Sequence, residues 1–214
     1  YFTPVTLVNF MLEELDALHP FHEEMRVLDP ACWSGAFLVQ CYRRIIESDE
    51  EFTPGEPMRP ARLRELLQKH VFGIDRDPDA CRVAELSLSL TLLDYVDPPD
   101  LRRTPRFRLP ELHGRNIFQG DFFDPEDSWR ESLQRESFDW IVVNPPWIEL
   151  KTGRVSKHDR HVWRWLQDRD NQRERPTGGK QVAEAFAWEV LDLATCGGTI
   201  ALLLPAMTLF KDES

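Results

Sequence analysis

The tetrapeptide Asn144-Pro145-Pro146-Trp147 is the part of the chain best suited to chemistry, and it directly follows an apolar run at 138–143. Neither proline has a backbone N–H, so the strand ladder cannot continue, and we expect a fixed turn with an unpaired Pro145 carbonyl. That carbonyl and the Asn144 amide oxygen can accept the two hydrogens of an amino group, and Trp147 offers a stacking face for a planar base. The plainer alternative is an ordinary strand end with a buried tryptophan.

Three other apolar segments also end in residues that suit ligand binding. They finish in the sequences DPACWSG (29–35), GID (73–75) and GDFFD (120–124). Carboxylates are acceptors for hydroxyl and amino groups, and backbone N–H groups at a helix start suit a carboxylate. Because ligands of open α/β sheets bind beyond the carboxyl ends of the strands, we expect these segments and the proline turn to meet at one edge.

Alternating helical and strand patterns predict the framework that positions these ends. Thr3 and Pro4 indicate an N-cap and the first residue of a helix, and apolar residues recur at helical spacing from Leu7 to Leu15. Further helices are expected at 34–46, at 61–70, from 77 onward, and at about 181–194, where Cys196-Gly197-Gly198 closes the helix. Strands are expected within 25–30, 70–75, 115–124, 138–147 and 199–205. Continuous apolar runs suit strands covered on both faces, so we predict an α/β fold with a doubly wound, mostly parallel sheet.

The composition is that of a globular chain with an acidic body and one basic segment. Of 214 residues, 42% are hydrophobic, and the formal net charge is −11, which excludes a disordered chain and a histone-like protein that is basic throughout. From Lys151 to Lys180, nine Lys or Arg residues stand against four acids. This segment permits docking of nucleic acid through one face, although charge alone favours a solvated loop.

The sequence also indicates the cellular compartment of the protein and whether it binds metal. No apolar run approaches the roughly 18 residues of a membrane helix, and no signal-peptide pattern is visible. Four dispersed cysteines suggest neither a disulfide framework nor a zinc knuckle, so we expect a cytoplasmic protein. We expect no metal site, since His158 and His161 lack completing ligands. A start at Tyr1 and an end just after an apolar strand indicate an excerpt from a longer polypeptide.

Taken in order, the motifs resemble those of the N6-adenine DNA methyltransferases of the gamma motif order, which include restriction-modification and phage-defence enzymes. The resemblance runs from YFTP (1–4) through DPACWSG, GID, GDFF and NPPW to GGTIALLLP (197–205). It implies the class I, Rossmann-like fold of S-adenosylmethionine-dependent methyltransferases, truncated after the fifth strand. It further implies that 1–214 is an incomplete catalytic domain and that the target recognition domain is absent.

The resemblance also implies a set of contacts to S-adenosylmethionine. These are Thr3, Pro4, Asp29, Ala31, Cys32, Gly35, Asp75, Asp121 and Phe122. The first two match the element at the methionine end of the cofactor, and the next four lie in the loop that wraps its amino acid part. Asp75 matches the acceptor of both ribose hydroxyls, and Asp121 and Phe122 match the acid and the ring at the cofactor's adenine. For Asp77 and Asp124 we expect only capping or turn roles.

The implied reaction is direct methyl transfer to an adenine swung out of double-stranded DNA. The implied catalytic residues are Asn144, Pro145, Pro146 and Trp147. The first two would hold the amino group while its nitrogen attacks the sulfonium methyl, so catalysis would come mainly from alignment and charge stabilisation. Implied partners are DNA, contacted partly through Lys151 to Lys180, the missing recognition domain, and restriction or defence subunits.

Trp33 departs from the family pattern, which usually has glycine at this position of the tight loop. A tryptophan there can point outward, cap the cofactor pocket or block it. If it blocks the pocket, the domain is an inactive binding module. A second alternative keeps the chemistry but changes the substrate to an amino group in RNA or a glutamine amide in a protein. The basic segment favours a polyanion.

Overall fold

The structure, a computed structural model, describes residues 3–98, 108–133 and 137–208. Its framework is a five-stranded parallel sheet with the strands β1 Val27–Asp29, β2 Val71–Asp75, β3 Ile117–Gln119, β4 Phe138–Val143 and β5 Ala194–Leu202. The strand order is β3-β2-β1-β4-β5. The chain therefore builds outward from β1 in one direction, returns to the other side of β1 and continues there, which confirms the doubly wound α/β prediction.

Helices cover both faces of this sheet. They are α1 Val5–Leu18, α2 Ala36–Glu47, α3 Pro60–His70, α4 Pro78–Asp94, α5 Ser128–Leu133, α6 Arg160–Gln167, α7 Arg169–Glu174 and α8 Val182–Glu189. Within the described ranges, none is both long enough and apolar enough to cross a membrane.

Alternating side chains in the strands divide the core into two layers. In β4, Trp140 and Val142 pack with residues of α1 and α2, whereas Ile141 and Val143 pack with residues of α5, α6 and α8. Helices α3 and α4 extend the first layer along α2. Because successive strand residues point to opposite faces and both faces are covered, the strands read as continuous apolar runs.

The end of the chain differs from the prediction of a long helix closed by two glycines. Helix α8 ends at Glu189 and β5 begins at Ala194, so Gly197 and Gly198 lie inside the strand. The pairing of β5 with β4 shifts register here. Gly197 has a φ of 91°, and a Cβ at Gly198 would lie 2.9 Å from the Phe138 carbonyl oxygen. The glycines therefore form a strand irregularity rather than a helix end: Gly197 supplies the positive φ, and Gly198 permits the close approach to β4.

The basic segment forms an excursion whose two ends meet. Glu149 pairs with Gln181 in an antiparallel bridge, and the Leu150 N–H donates to the Lys180 carbonyl at 2.9 Å. Helices α6 and α7 lie between these ends, and Val162 of α6 packs into the core. We call residues 151–180 the basic excursion.

Candidate functional site

A cavity of about 750 Å³ lies at the carboxyl ends of the strands, where the strand order reverses between β1 and β4. Most of the predicted site residues line it: Thr3, Pro4, Ala31, Asp75, Asp121, Phe122, Asn144, Pro145, Pro146 and Trp147. Asp29 and Cys32 line a recess of about 30 Å³ that shares Thr3, Ala31 and Asn144 with the cavity. Gly35 lines neither space. The loops that the sequence placed at one edge of the sheet therefore do meet.

The proline turn presents an aromatic ring held by the neighbouring strand. Trp147 is 50% exposed, and its Nε1–H donates to the Leu203 carbonyl at 2.9 Å. Leu203 in turn donates its N–H to the Val143 carbonyl at 3.0 Å. The ring is thus tied to the ends of β4 and β5 while much of its surface stays open. The plainer alternative of a buried tryptophan is wrong.

Asn144 and Thr3 are joined by a hydrogen bond across 141 residues of sequence. The Asn144 Nδ2–H donates to Thr3 Oγ1 at 3.0 Å, and Thr3 is buried. The predicted helix cap at Thr3 is wrong, because Pro4 occupies the N-cap position and no side chain caps α1. Within the described ranges, the Asn144 amide oxygen and the Pro145 carbonyl accept no hydrogen bond. Both oxygens remain available to a ligand.

The loop after β1 turns tightly around the recess. Gly35 has a φ of 81°, and a Cβ there would lie 3.2 Å from Ala84 atoms of α4. Asp29 is buried, its Oδ1 accepts the Ala31 N–H at 3.1 Å, and burial raises its pKa well above the usual range. Glycine at position 35 therefore serves the turn and the close packing of the loop on α4.

Trp33 stands at the edge of the cavity and leaves it open. Its φ of 46° is in the left-handed region, which explains why a glycine would suit this position. The residue is 53% exposed and lines both the cavity and the recess. Its backbone N–H donates to Asp75 Oδ2 at 2.8 Å. The loop conformation thus links the first strand end directly to the second.

Asp75 keeps acceptor capacity although two backbone groups hold it. Its Oδ2 accepts from Trp33, and its Oδ1 accepts the Asp77 N–H at 2.9 Å. A carboxylate has about four acceptor sites, so room remains for donors in the cavity. Burial raises the pKa of Asp75, and the two backbone hydrogen bonds oppose this effect. Asp77 caps α4 through the Asp79 N–H, as expected.

Asp121 is held by a clamp that the sequence analysis missed. Its N–H donates to Asp127 Oδ2 at 2.8 Å, and its own Oδ1 accepts the Phe123 N–H at 3.0 Å. A Cβ at Gly120 would lie 2.6 Å from the Asp127 carboxylate, so glycine lets this clamp form. Burial raises the pKa of Asp121. The last acid of the segment GDFFDPED (120–127) was the available signal.

Phe122 belongs to an aromatic stack. Its ring lies 4.9 Å from that of Phe186 and 5.5 Å from that of Trp129, with interplanar angles of 11° and 13°. Only 4% of Phe122 is exposed, although it lines the cavity. Because two rings already stack on it, Phe122 offers a ligand a rigid wall rather than a free face.

The basic excursion supplies cavity residues that no local pattern indicated. His158, Asp159 and Val162 line the cavity. Asp159 pairs with Arg76 Nη1 at 2.9 Å and accepts from the Ser156 hydroxyl at 2.6 Å. Burial raises the pKa of Asp159, but the hydrogen bonds from Ser156 and Arg76 outweigh it and hold the pKa below its usual value. The excursion is therefore anchored beside Asp75.

Its two tryptophans pack inward, whereas many of its cations face solvent. Trp165 donates its Nε1–H to Glu189 Oε2 at 2.9 Å, and Trp163 packs against the same core. The exposed cations are Lys151, Arg154, Lys157, Arg160, Arg164, Arg169 and Arg173. No group of three or more His, Cys, Asp or Glu side chains in the described ranges could hold a metal ion.

A family model described as N-6 DNA Methylase matches residues 1–214, the whole chain. The chain belongs to the N-6 DNA methylase family. This confirms the resemblance inferred from the motifs. The curated relatives of this N-6 DNA methylase domain include the adenine-specific methyltransferase PglX of Streptomyces coelicolor, 27% identical over 159 residues, covering 73% of this chain and 13% of PglX. They also include the type II restriction enzyme and methyltransferase RM.Eco57I of Escherichia coli, 27% identical over 142 residues, covering 56% of this chain and 14% of that protein.

Among solved structures, the N-6 DNA methylase domain is similar to the ATP-dependent type ISP restriction-modification enzyme LlaBIII bound to DNA. The TM-score is 0.67 at 16% identity, over 96% of this chain and 15% of LlaBIII. The fold is that of the class I S-adenosylmethionine-dependent methyltransferases, as predicted. The chain spans only 13–14% of the curated relatives described above.

Proposed function

We propose that this domain transfers a methyl group from S-adenosylmethionine to the exocyclic N6 amine of an adenine flipped out of DNA, within a larger restriction-modification or phage-defence protein. One observation carries the proposal: the turn at 144–147 opens into the same cavity as Asp75 and Asp121. An amine held at the turn is then close to a ligand held at those carboxylates. Direct transfer requires that the two bound molecules lie in the same cavity with their reacting atoms close together.

The residues present fit S-adenosylmethionine. Asp75 is an acceptor-only group for the ribose hydroxyls, and Asp121 is one for the adenine amino group. Phe122 provides a rigid wall beside them, and the loop 29–35 lines the cavity through Ala31 and Trp33, where the amino acid part would bind. When bound, S-adenosylmethionine supplies an electrophilic methyl group on a sulfonium.

Asn144 and Pro145 would orient the amine of the target base. The amide oxygen of Asn144 and the carbonyl of Pro145 accept its two hydrogens, which directs the nitrogen lone pair away from the turn. The same two oxygens stabilise the positive charge that grows on the nitrogen during attack. Trp147 stacks on the extruded base and offsets part of the unstacking cost, roughly a few kcal/mol.

DNA is the substrate that the surface and the relatives support best. Exposed cations of the basic excursion suit phosphates. PglX is described as adenine-specific, and LlaBIII was solved bound to DNA. The alternatives of an RNA amine or a protein glutamine amide have no comparable support. An inactive module is disfavoured because Trp33 borders the cavity without filling it.

The proposal is tested by Asn144→Ala in the full-length protein, with Asn9→Ala on α1 as the matched control. Removing an oriented acceptor should lower transfer by about 10²-fold or more, whereas S-adenosylmethionine affinity should stay nearly unchanged. Transfer is measured with tritiated S-adenosylmethionine on DNA that lacks adenine methylation, and affinity is measured by calorimetry. Retained turnover in Asn144→Ala would refute the mechanism.

A further inference from the structure

We propose that Thr3 is a positioning residue for methyl transfer: its hydroxyl holds the Asn144 amide in the orientation that presents the amide oxygen to the substrate amine. The inference rests on the proposed function and adds a residue to it. In this role, the segment before α1 orients a catalytic residue during methyl transfer, and this role differs from contact with the cofactor.

The hydrogen bond lies in a sheltered position. Thr3 Oγ1 and Asn144 Nδ2 are 3.0 Å apart, and Thr3 is only 7% exposed. Both residues line the cavity and the recess, so the bond lies at the junction of the two spaces. Hydrogen bonds shielded from water hold their geometry more firmly than exposed ones.

The orientation matters because the two ends of a primary amide have nearly the same shape and opposite hydrogen-bonding character. A substrate amine needs the oxygen end. With Nδ2 engaged by Thr3, the oxygen of Asn144 is the end left for the ligand. A hydroxyl can also donate to the flipped amide, but that amide sets its NH₂ group against the substrate NH₂ group, and a donor facing a donor does not bind. The hydroxyl therefore restrains the plane of the amide, and the substrate amine selects the oxygen end. Without the hydroxyl, the amide would rotate more freely and would present its oxygen less often.

Other features of the N-terminal segment agree with this role. Thr3 does not cap α1, so its hydroxyl is not used to stabilise the helix. Pro4 follows with a restricted φ of −59° and precedes the first turn of α1. Helix α1 itself is fixed to the sheet by Val8 and Leu12, which are fully buried. The hydroxyl is thus carried on a rigid base.

The test uses Thr3→Val and Thr3→Ala, which remove the hydroxyl, and Thr3→Ser, which keeps it, in the full-length protein. Thr6→Val, at an exposed threonine one turn along, is the matched control. Both variants without the hydroxyl should lower kcat about tenfold or more, with the calorimetric Kd for S-adenosylmethionine changed less than about twofold and the melting temperature nearly unchanged. Thr3→Ser should restore kcat.

Three results would overturn the inference. They are an unchanged kcat in Thr3→Val and Thr3→Ala, a failure of Thr3→Ser to restore turnover, and a loss of S-adenosylmethionine affinity that accounts for the whole defect. The last result would make Thr3 a cofactor contact and leave the proposed function intact. By contrast, absence of DNA adenine methylation by the unsubstituted protein would refute the proposed function itself.

Discussion

At the scale of single residues, backbone N–H groups donate hydrogen bonds to the carboxylates of Asp75 and Asp121 and fix their orientation. Asp75 accepts from the loop after β1 and from its own turn, and Asp121 accepts from the N–H two residues on. Burial raises the pKa of both side chains. Each carboxylate is therefore oriented before a ligand binds and protonates at a higher pH than an exposed aspartate.

Asp75→Asn should weaken S-adenosylmethionine binding by about tenfold or more, since a charge-assisted hydrogen bond to a hydroxyl is replaced by a neutral one. A protonated carboxyl is a poor acceptor. Because the pKa of Asp75 is raised, the affinity of the unsubstituted protein should fall as the pH drops, beginning above the ordinary aspartate range near about 4. Asp75→Asn should show a shallower decline, with the remainder due to Asp121.

Calorimetry of the full-length protein between about pH 5 and pH 8 measures this dependence. Asp79→Asn, at an exposed carboxylate on α4, is the control and should bind like the unsubstituted protein. An equal pH dependence in Asp75→Asn would show that Asp75 does not contact the cofactor.

Trp33→Gly separates backbone strain from ligand contact. The left-handed φ of Trp33 costs about 1 kcal/mol, and glycine removes that cost but loses more entropy on folding, so stability should change by less than about 1 kcal/mol. Affinity for S-adenosylmethionine should fall a few-fold, because the ring borders the cavity. Thermal unfolding and calorimetry measure the two effects. Binding by the glycine variant alone would instead favour the inactive module.

At the scale of elements, the basic excursion is held on the sheet by a partly buried ion-pair network. Glu189 at the end of α8 accepts from Trp165 of α6 and pairs with Arg130 of α5 at 3.1 Å and with Arg175 at 3.6 Å. The Glu189 side chain is 14% exposed. One carboxylate therefore joins three helices and the loop after α7, and it supports the excursion residues that line the cavity.

Glu189→Gln should loosen the excursion, because Arg130 and Arg175 each lose a charged partner in a partly buried setting, although Arg175 keeps Asp192 at 2.9 Å. Breaking such a pair costs about 1–3 kcal/mol, so backbone amides of α6 should exchange hydrogen about tenfold faster in the full-length protein. Mass spectrometry of peptides from 160–167 measures the rate. Glu131→Gln, at an exposed acid on α5, should leave it unchanged. Equal exchange in the two variants would show that the network does not anchor α6.

At the scale of the whole molecule, the uneven charge predicts how DNA docks. The chain carries −11 overall, yet the basic excursion presents exposed cations beside the cavity. The acidic body should repel a polyanion, whereas the excursion should attract it. DNA is thus expected to approach at the carboxyl edge of the sheet, where the turn at 144–147 lies.

DNA affinity of the full-length protein should therefore fall with salt, by a slope of about −0.9 for each phosphate neutralised. Replacing Lys157 and Arg164 by glutamine should make the slope shallower by up to about two such units. Arg82→Gln on α4 is the control and should keep the slope. Fluorescence anisotropy with labelled duplex DNA over a salt series measures it. An unchanged slope in the excursion variant would contradict docking through this surface.

Much of the architecture follows from local sequence. Strand β4 lies within the predicted segment 138–147 and ends at Val143, because burial on both faces and the two prolines that follow define its length and end. The order of strands and helices predicted that the motif loops share one edge. The glycines at 197–198 were misjudged, because glycine is favoured both at helix ends and at strand irregularities, and only pairing with β4 decides between them.

The sequence by itself determined the motif turns, the strand ends and the type of fold, since these depend on neighbouring residues and on hydrophobic spacing. The tertiary structure alone decided that Thr3 holds Asn144, that Asp159 pairs with Arg76, and that Glu189 anchors the excursion. Thr3 and Asn144 are 141 residues apart, Arg76 and Asp159 are 83 apart, and Glu189 is 59 residues from Arg130. Contacts over such separations depend on the strand order and on helix packing, which no local pattern encodes.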